Sequence, residues 1–299
     1  YVEPIRQVMN RYLVINPLPA VISIIIAAWL VLAGLARPAV GYVLDGATIL
    51  DMAVESLGVV QRLQVRQQIE IPHLESPAAG RVIRETVRFQ LPDTIRSDQL
   101  TELSQRIVMT SDHRRLTVID GQIQSGGLHW TDWYLQLLWP RSRLKLHESL
   151  ERNRVDVTVT SLGRFEDRVV YVVGGRYPDE SVDQVWFDKE RFLPLKWIIT
   201  SAAGLSRSGN QRAEIVFGGW KKISKFFYPM LIDFYLDGEL IRKIRVSDVQ
   251  LNPSFPENLM SIEHVGASAI PPVGTSEPEP DQTVDDIQKS IDEFKQKFE

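Results

Sequence analysis

Two periods of apolar residues divide the chain. From Asp45 to Val60 the spacing is helical: Ile49, Ala53 and Leu57 fall on one stripe, Leu50 and Val54 widen it, and Asp45 or Thr48 can cap the start. The chain then switches to alternation. In "RLQVRQQIEI", Leu63, Val65, Ile69 and Ile71 stand against Arg62, Gln64, Arg66, Gln68 and Glu70. "RVIRETVRFQLP" does the same with Ile83, Val87, Phe89 and Leu91. A period of two predicts strands with one wet face. Further strand-like runs are "QRIVMT", "RRLTVI" before Asp120-Gly121, "RVDVTVTSL", "DRVVYVVGG", both arms of "VDQVWFDKERFLPLKWII", "RAEIVFGGW", and "MLIDFYL" and "ELIRKIRVSDVQL" around Asp237-Gly238. Together they predict about eleven strands, mostly joined by hairpins. An antiparallel sheet of that size curls.

Helical spacing returns in mid-chain. Thr131 to Trp139 sets Trp133, Tyr134, Leu137 and Leu138 on one side, and "RSRLKLHESLERN" from Arg141 continues with a basic face, which also reads as an ordinary solvated one. Such helices can cover the apolar concave side of a curled sheet. Full wrapping gives a solid core; an open sheet leaves a cavity for something apolar. On the hairpin, alternation puts Trp186 with Val182 and Gln184, and Trp197 with Leu195 and Ile199. With both tryptophans on the concave side they would line that cavity, and each taken singly also fits an ordinary core aromatic.

The ends of the chain differ from its middle. An apolar run from Ala20 to Ala36 follows Arg11 and precedes the small residues around Ala39 and Gly41. It predicts a signal peptide over residues 1–41, with Met9 as an alternative start, or else a retained anchor, since about 17 apolar residues can just span a bilayer. Either way the domain, 42–263, is expected outside the cytoplasm: periplasmic, or anchored at the inner membrane if the signal is not cleaved. Residues 264–282 read as a proline-rich acidic linker. Residues 283–299 place Val284, Ile287, Ile291, Phe294 and Phe298 on one stripe, an amphipathic helix that either docks loosely or binds a partner protein.

Composition removes several function classes. The 299 residues carry a formal net charge of -4, with no basic footprint, so no nucleic-acid partner is expected. Cysteine is absent, which removes disulfides, thiolate metal sites and a cysteine nucleophile. "GLSRS" from Gly204 lacks the last glycine of a nucleophile elbow, and "SRLK" from Ser142 lacks its later Lys-Thr-Gly partner. His73, His113, His129, His147 and His264 are scattered without ligand spacing. The expectation is a binding protein, not an enzyme, with no metal and no cofactor.

Three strings then point to a family. "VRFQLPDTIRSD", "QVWFDKERFLPLKW" and "DVQLNPSFPENLMSI", in that order among helix, strands, central helices and strands, resemble the LolA/LolB-type periplasmic lipoprotein carriers over roughly residues 45 to 263. The resemblance implies an unclosed antiparallel β-barrel, mainly β with α, and a helical lid or plug. It implies a cavity that takes acyl chains of a lipid or lipoprotein, received from an inner-membrane donor and passed to an outer-membrane acceptor. The residues expected to line cavity and lid are Leu63, Val65, Ile69, Val87, Phe89, Ile95, Trp133, Leu137, Trp186, Leu195, Trp197 and Ile199. The family's basic residue before the turn proline is replaced by Leu91, and Arg96 is the substitute for a lid or headgroup contact. The alternative is an envelope sensor on the same scaffold, similar to the RseB/MucB type, that transports nothing.

Overall fold

The computed structural model describes residues 43–72, 82–111, 114–125, 129–139, 142–200 and 211–270. The expected signal or anchor at 1–41 and the expected helix at 283–299 lie outside them. Helix α1, Gly46–Leu57, starts where the Asp45 carboxylate accepts the Thr48 backbone N–H at 2.8 Å, and it turns Ile49, Leu50, Ala53 and Leu57 inward. Both its ends meet backbone. A Cβ on Gly46 would lie 1.9 Å from the Val157 carbonyl oxygen, and one on Gly58, with φ +83°, 2.1 Å from that of Lys225. Only glycine allows these approaches.

Strands β1 (Arg62–Glu70), β2 (Val82–Gln90), β3 (Thr94–Leu100), β4 (Gln105–Ser111), β5 (Arg114–Ile119) and β6 (Gln122–Gln124) then form an antiparallel meander. A 3-10 turn, Trp130–Asp132, and helices α2 (Tyr134–Leu138) and α3 (Arg143–Arg152) cross to a second meander. It comprises β7 (Thr160–Phe165), β8 (Arg168–Val173), β9 (Gln184–Asp188), β10 (Pro194–Ile199), β11 (Ala213–Gly218), β14 (Leu231–Leu236) and β15 (Glu239–Leu251), with a separate hairpin of β12 (Lys221–Ile223) and β13 (Phe226–Tyr228). Strand β15 pairs with both β14 and β1, giving one 13-stranded sheet in the order β6-β5-β4-β3-β2-β1-β15-β14-β11-β10-β9-β8-β7. The sheet ends in β6 and β7 and is not closed into a barrel. Its inner face carries the main core, where α1, α2, α3 and β13 pack on the strands; Leu50, Leu63, Val87, Tyr134, Leu150, Trp197, Phe226 and Phe234 are all buried there.

The expected mainly-β, unclosed architecture with covering helices is what the structure has. The differences are local. Strands β3, β6, β12 and β13 were not in the sequence reading because each is short or has few apolar residues at alternate positions. The run "RVDVTVTSL" becomes strand only at Thr160, since Asp156 bonds the backbone N–H and hydroxyl of Thr158 and holds a turn there. The Thr131–Trp139 helix is split into the 3-10 turn and the five-residue α2. Residues 264–270, expected as the start of a linker, are folded instead. Helix α4, Ile262–Ala267, buries Ile262 and Val265 against Met109 and Val118, and Ile270 bridges to Gln122. Among the described residues no helix is long and apolar enough to cross a membrane.

Candidate functional site

The inner face brings most of the expected cavity residues together. Leu63, Val65, Ile69, Val87, Phe89, Leu137, Trp197 and Ile199 are buried in one cluster, and Ile95 and Trp133 pack partly buried against it. Register explains the grouping: Val65 stands opposite Val87, Leu63 opposite Phe89, and Phe89 opposite Ile95. The short helix closes over them with aromatic rings. Trp139 stacks on Phe89 at 4.6 Å between centroids, Trp133 lies 5.8 Å from Trp197, and Tyr134 meets Phe234 edge-on at 5.8 Å. Gln136 adds a polar tie, accepting from Ser149 and Asn153 of the α3 segment. These residues touch one another, so the face is covered by the protein's own side chains.

Three expected site residues lie elsewhere. Trp186 and Leu195 belong to a second cluster on the opposite face of the sheet, with Val170, Val172 and Ile198. In the β9–β10 pair Trp197 faces Val185 while Trp186 faces Lys196, and the register slips between Pro194 and Lys196. Directly opposed residues share a face, so the two tryptophans point to opposite sides, and the bulge carries Leu195 over to join Trp186. There the Trp186 indole N–H donates to Gln184 at 2.9 Å, and Lys196 Nζ stands 4.9 Å above its ring and 2.8 Å from Glu214. Arg96 is also on the outer face. It donates to Asp98 and, at 2.8 Å, to the Leu259 carbonyl, so it fastens the segment leading to α4 and touches no lid. An open depression of about 390 Å³ beside it is lined by Ile107, Val118, Leu259, His264 and Val265.

Beside the apolar cluster the inner face carries buried polar groups that the sequence reading missed. Glu85 accepts from Gln67 at 2.5 Å, from Ser97 at 2.5 Å and from Gln99 at 2.9 Å, while Gln67 also donates to the Tyr134 hydroxyl at 2.7 Å. Burial, with Glu85 alongside, pushes the Tyr134 hydroxyl pKa well up, so it stays protonated. Arg106 bonds Gln99 and Asp132, both at distances of 3.1 to 3.3 Å. Burial alone would raise the Asp132 pKa, but Arg106 and Arg242 outweigh it and hold the carboxyl below its usual range. His129 Nδ1 accepts the Thr131 backbone N–H, and burial lowers its pKa to about 4, so the ring is neutral. Arg242 lies 5.2 Å over the Phe234 ring and 4.0 Å from Glu85. A signal existed: Gln67 and Glu85 sit on the apolar parity of β1 and β2 and oppose each other in register.

Among the described residues no group of three or more His, Asp or Glu is placed to hold a metal. No protein-family model matches the sequence. No curated protein matches it either. Solved structures do. A putative outer membrane lipoprotein-sorting protein domain from Vibrio parahaemolyticus is similar at 10% identity and a TM-score of 0.47, over 74% of this chain and 97% of that one. A DUF1329 family protein from Desulfovibrio piger gives 12% identity and a TM-score of 0.45, over 74% and 100%. A LolA superfamily protein from Nitrosomonas europaea gives 14% and 0.40, over 74% and 99%. The strand order, not this likeness, establishes the unclosed antiparallel architecture.

Proposed function

We propose that the protein is a lipid-binding carrier of the cell envelope, located in the periplasm, which takes acyl chains of a lipid or lipoprotein beneath α2 and gives them up unchanged towards the outer membrane. One observation carries this reading: the apolar inner face is covered by elements held in two different ways. Helix α1 is fixed at both ends by backbone contact at Gly46 and Gly58. Helix α2, only five residues long, is too short to persist by itself and is held by the ring contacts of Trp133, Tyr134 and Trp139 and by Gln136. An acyl chain offers Trp197 and Phe89 the same apolar contact that these rings do. Lifting α2 exchanges one apolar cover for another.

The expected lining becomes ten residues on the inner face: Leu63, Val65, Ile69, Val87, Phe89, Ile95, Trp133, Leu137, Trp197 and Ile199. Mass spectrometry of lipids co-purifying from a native envelope tests the proposal, together with displacement of a fluorescent fatty acid. Absence of both bound lipid and saturable fatty-acid uptake would remove it. The close packing of Trp133 on Trp197 favours a second reading, an envelope sensor or interaction module that carries no cargo. That reading expects a captured protein partner and no acyl uptake.

A further inference from the structure

In β1 to β3, Leu63, Val87 and Ile95 point to the core, so the alternate positions point outward, and the register carries this outer face on to β15 and β14. It is basic. Strands β1 to β3 contribute Arg62, Arg66, Arg84, Arg88 and Arg96, and β15 adds Lys243 and Arg245. Four carboxylates answer these seven groups: Glu70, Asp98, Asp248 and, on β14, Asp233. Arg66 pairs with Asp248 at 3.1 Å, Arg245 with Glu70 at 2.8 Å and Lys243 with Asp233 at 3.7 Å, while Arg88 and Arg96 share Asp98. Arg62 and Arg84 have no carboxylate partner among the described residues. The face thus holds three positive charges in excess on a chain whose net charge is -4.

The register also aligns an exposed row across five strands: Leu231 of β14, Arg245 of β15, Gln68 of β1, Arg84 of β2 and Leu100 of β3. At about 4.8 Å per strand the row is roughly 19 Å long, with a leucine at each end and the arginines between. Leu231 is 39% exposed and Leu100 46%, and Leu103, in the turn after β3, is 71% exposed. A guanidinium fork matches a phosphate, and its apolar stem and the leucines beside it gain by leaving water. A second copy of this chain would set the excess charge against itself. A bilayer answers both features, because its phosphates move laterally to the spacing of the arginines and its headgroup boundary accepts aliphatic side chains. We propose that this outer face docks on a bilayer containing anionic phospholipid, with Arg84 and Arg245 on headgroup phosphates and Leu100, Leu103 and Leu231 at the acyl boundary. The proposal goes beyond the carrier reading and does not require the inner face to bind acyl chains.

The chain has no cysteine, so in the full chain Gln68→Cys carries a single polarity-sensitive fluorophore to the middle of the row, and Arg164→Cys carries one to β7 at the other end of the sheet. Vesicles of equimolar phosphatidylglycerol and phosphatidylcholine should shift the emission of the first label to the blue, and added salt should reverse the shift. Vesicles of phosphatidylcholine alone should leave it unmoved. Arg84→Gln with Arg245→Gln should raise the lipid needed for half the shift by on the order of tenfold, and the two lysine variants should keep most of the binding. Leu100→Ser with Leu231→Ser should reduce the shift itself. No shift at Gln68, an equal shift with phosphatidylcholine alone, or an equal shift of the β7 label overturns the proposal. A shift produced by polyglutamate and not by vesicles also overturns it, in favour of an acidic protein partner. Fatty-acid uptake is read separately, so failure of either result leaves the other standing.

Discussion

Glu85 is buried and accepts three hydrogen bonds from side chains on β1 and β3, so its carboxylate organises the polar end of the inner face. Glu85→Ala would leave Gln67, Ser97 and Gln99 without their acceptor and Arg242 without its nearest anion. It should lower unfolding stability by roughly 3–5 kcal/mol. Glu85→Gln, which keeps an acceptor oxygen, should lose less; equal urea midpoints for the two variants would contradict this role. His129 gives a pH dependence. Its pKa in the folded protein, about 4, lies below the roughly 6.5 of an unfolded histidine, so the unfolded chain binds the proton first. Stability from this group is therefore whole above pH ~6.5 and falls as pH drops towards 4, by at most roughly 3 kcal/mol. Asp132, held below its usual range, acts only at lower pH still. Urea midpoints between pH 7 and 4.5 should fall in the wild type and flatten in His129→Gln. In the sequence, Gln67 and Glu85 were legible as polar residues on an apolar parity. Arg106 and Asp132 were not, because the wide sequence separation between Arg106, Asp132 and Arg242 is closed only by the sheet and the 3-10 turn.

Among the elements, α1 and α2 should respond to substitution in opposite ways. Gly58→Ala drives a Cβ into the Lys225 carbonyl at a positive φ, and it should lower the melting temperature through global destabilisation of more than about 1 kcal/mol. Trp133→Ala with Leu137→Ala should instead weaken fatty-acid uptake, at up to ~3 kcal/mol per large apolar contact, with the far-ultraviolet strand signal retained. Unchanged uptake by the double variant would remove α2 as the moving cover. The stripe and the Asp45 cap made the start of α1 readable, since both are local, but the helix stops at Leu57, short of the expected Val60, where Gly58 turns to positive φ. The β9–β10 hairpin was not, because every residue of both strands is buried and alternation then assigns no face. The regular pairing of Trp186 with Lys196 sets the two tryptophans on opposite faces, and the slip between Pro194 and Lys196 moves Leu195 to the side of Trp186.

For the whole molecule, the C-terminal segment completes the fold in a way its composition hid. Ending the chain at Leu259 would uncover Met109 and Val118, which pack on Ile262 and Val265. The melting temperature should drop by roughly 5 °C or more. Ending it at Ile270 retains α4 and the Gln122 bridge, so these two contacts would not contribute to any change. A run of hairpin-linked strands was legible from alternation, but the junction of the two meanders was not, because nothing local marks β1 and β15 as neighbours. That junction governs how the molecule assembles during synthesis. The β1–β6 meander leaves the ribosome with one long margin of β1 unpaired, and its partner, β15, is made about 180 residues later; Leu63 waits for Leu251 and Ile69 for Ile244. Until then the nascent chain exposes an open strand margin to any other chain in extended form. Export in an unfolded state would avoid this hazard, and so would a chaperone that shields β1 until the last strand arrives.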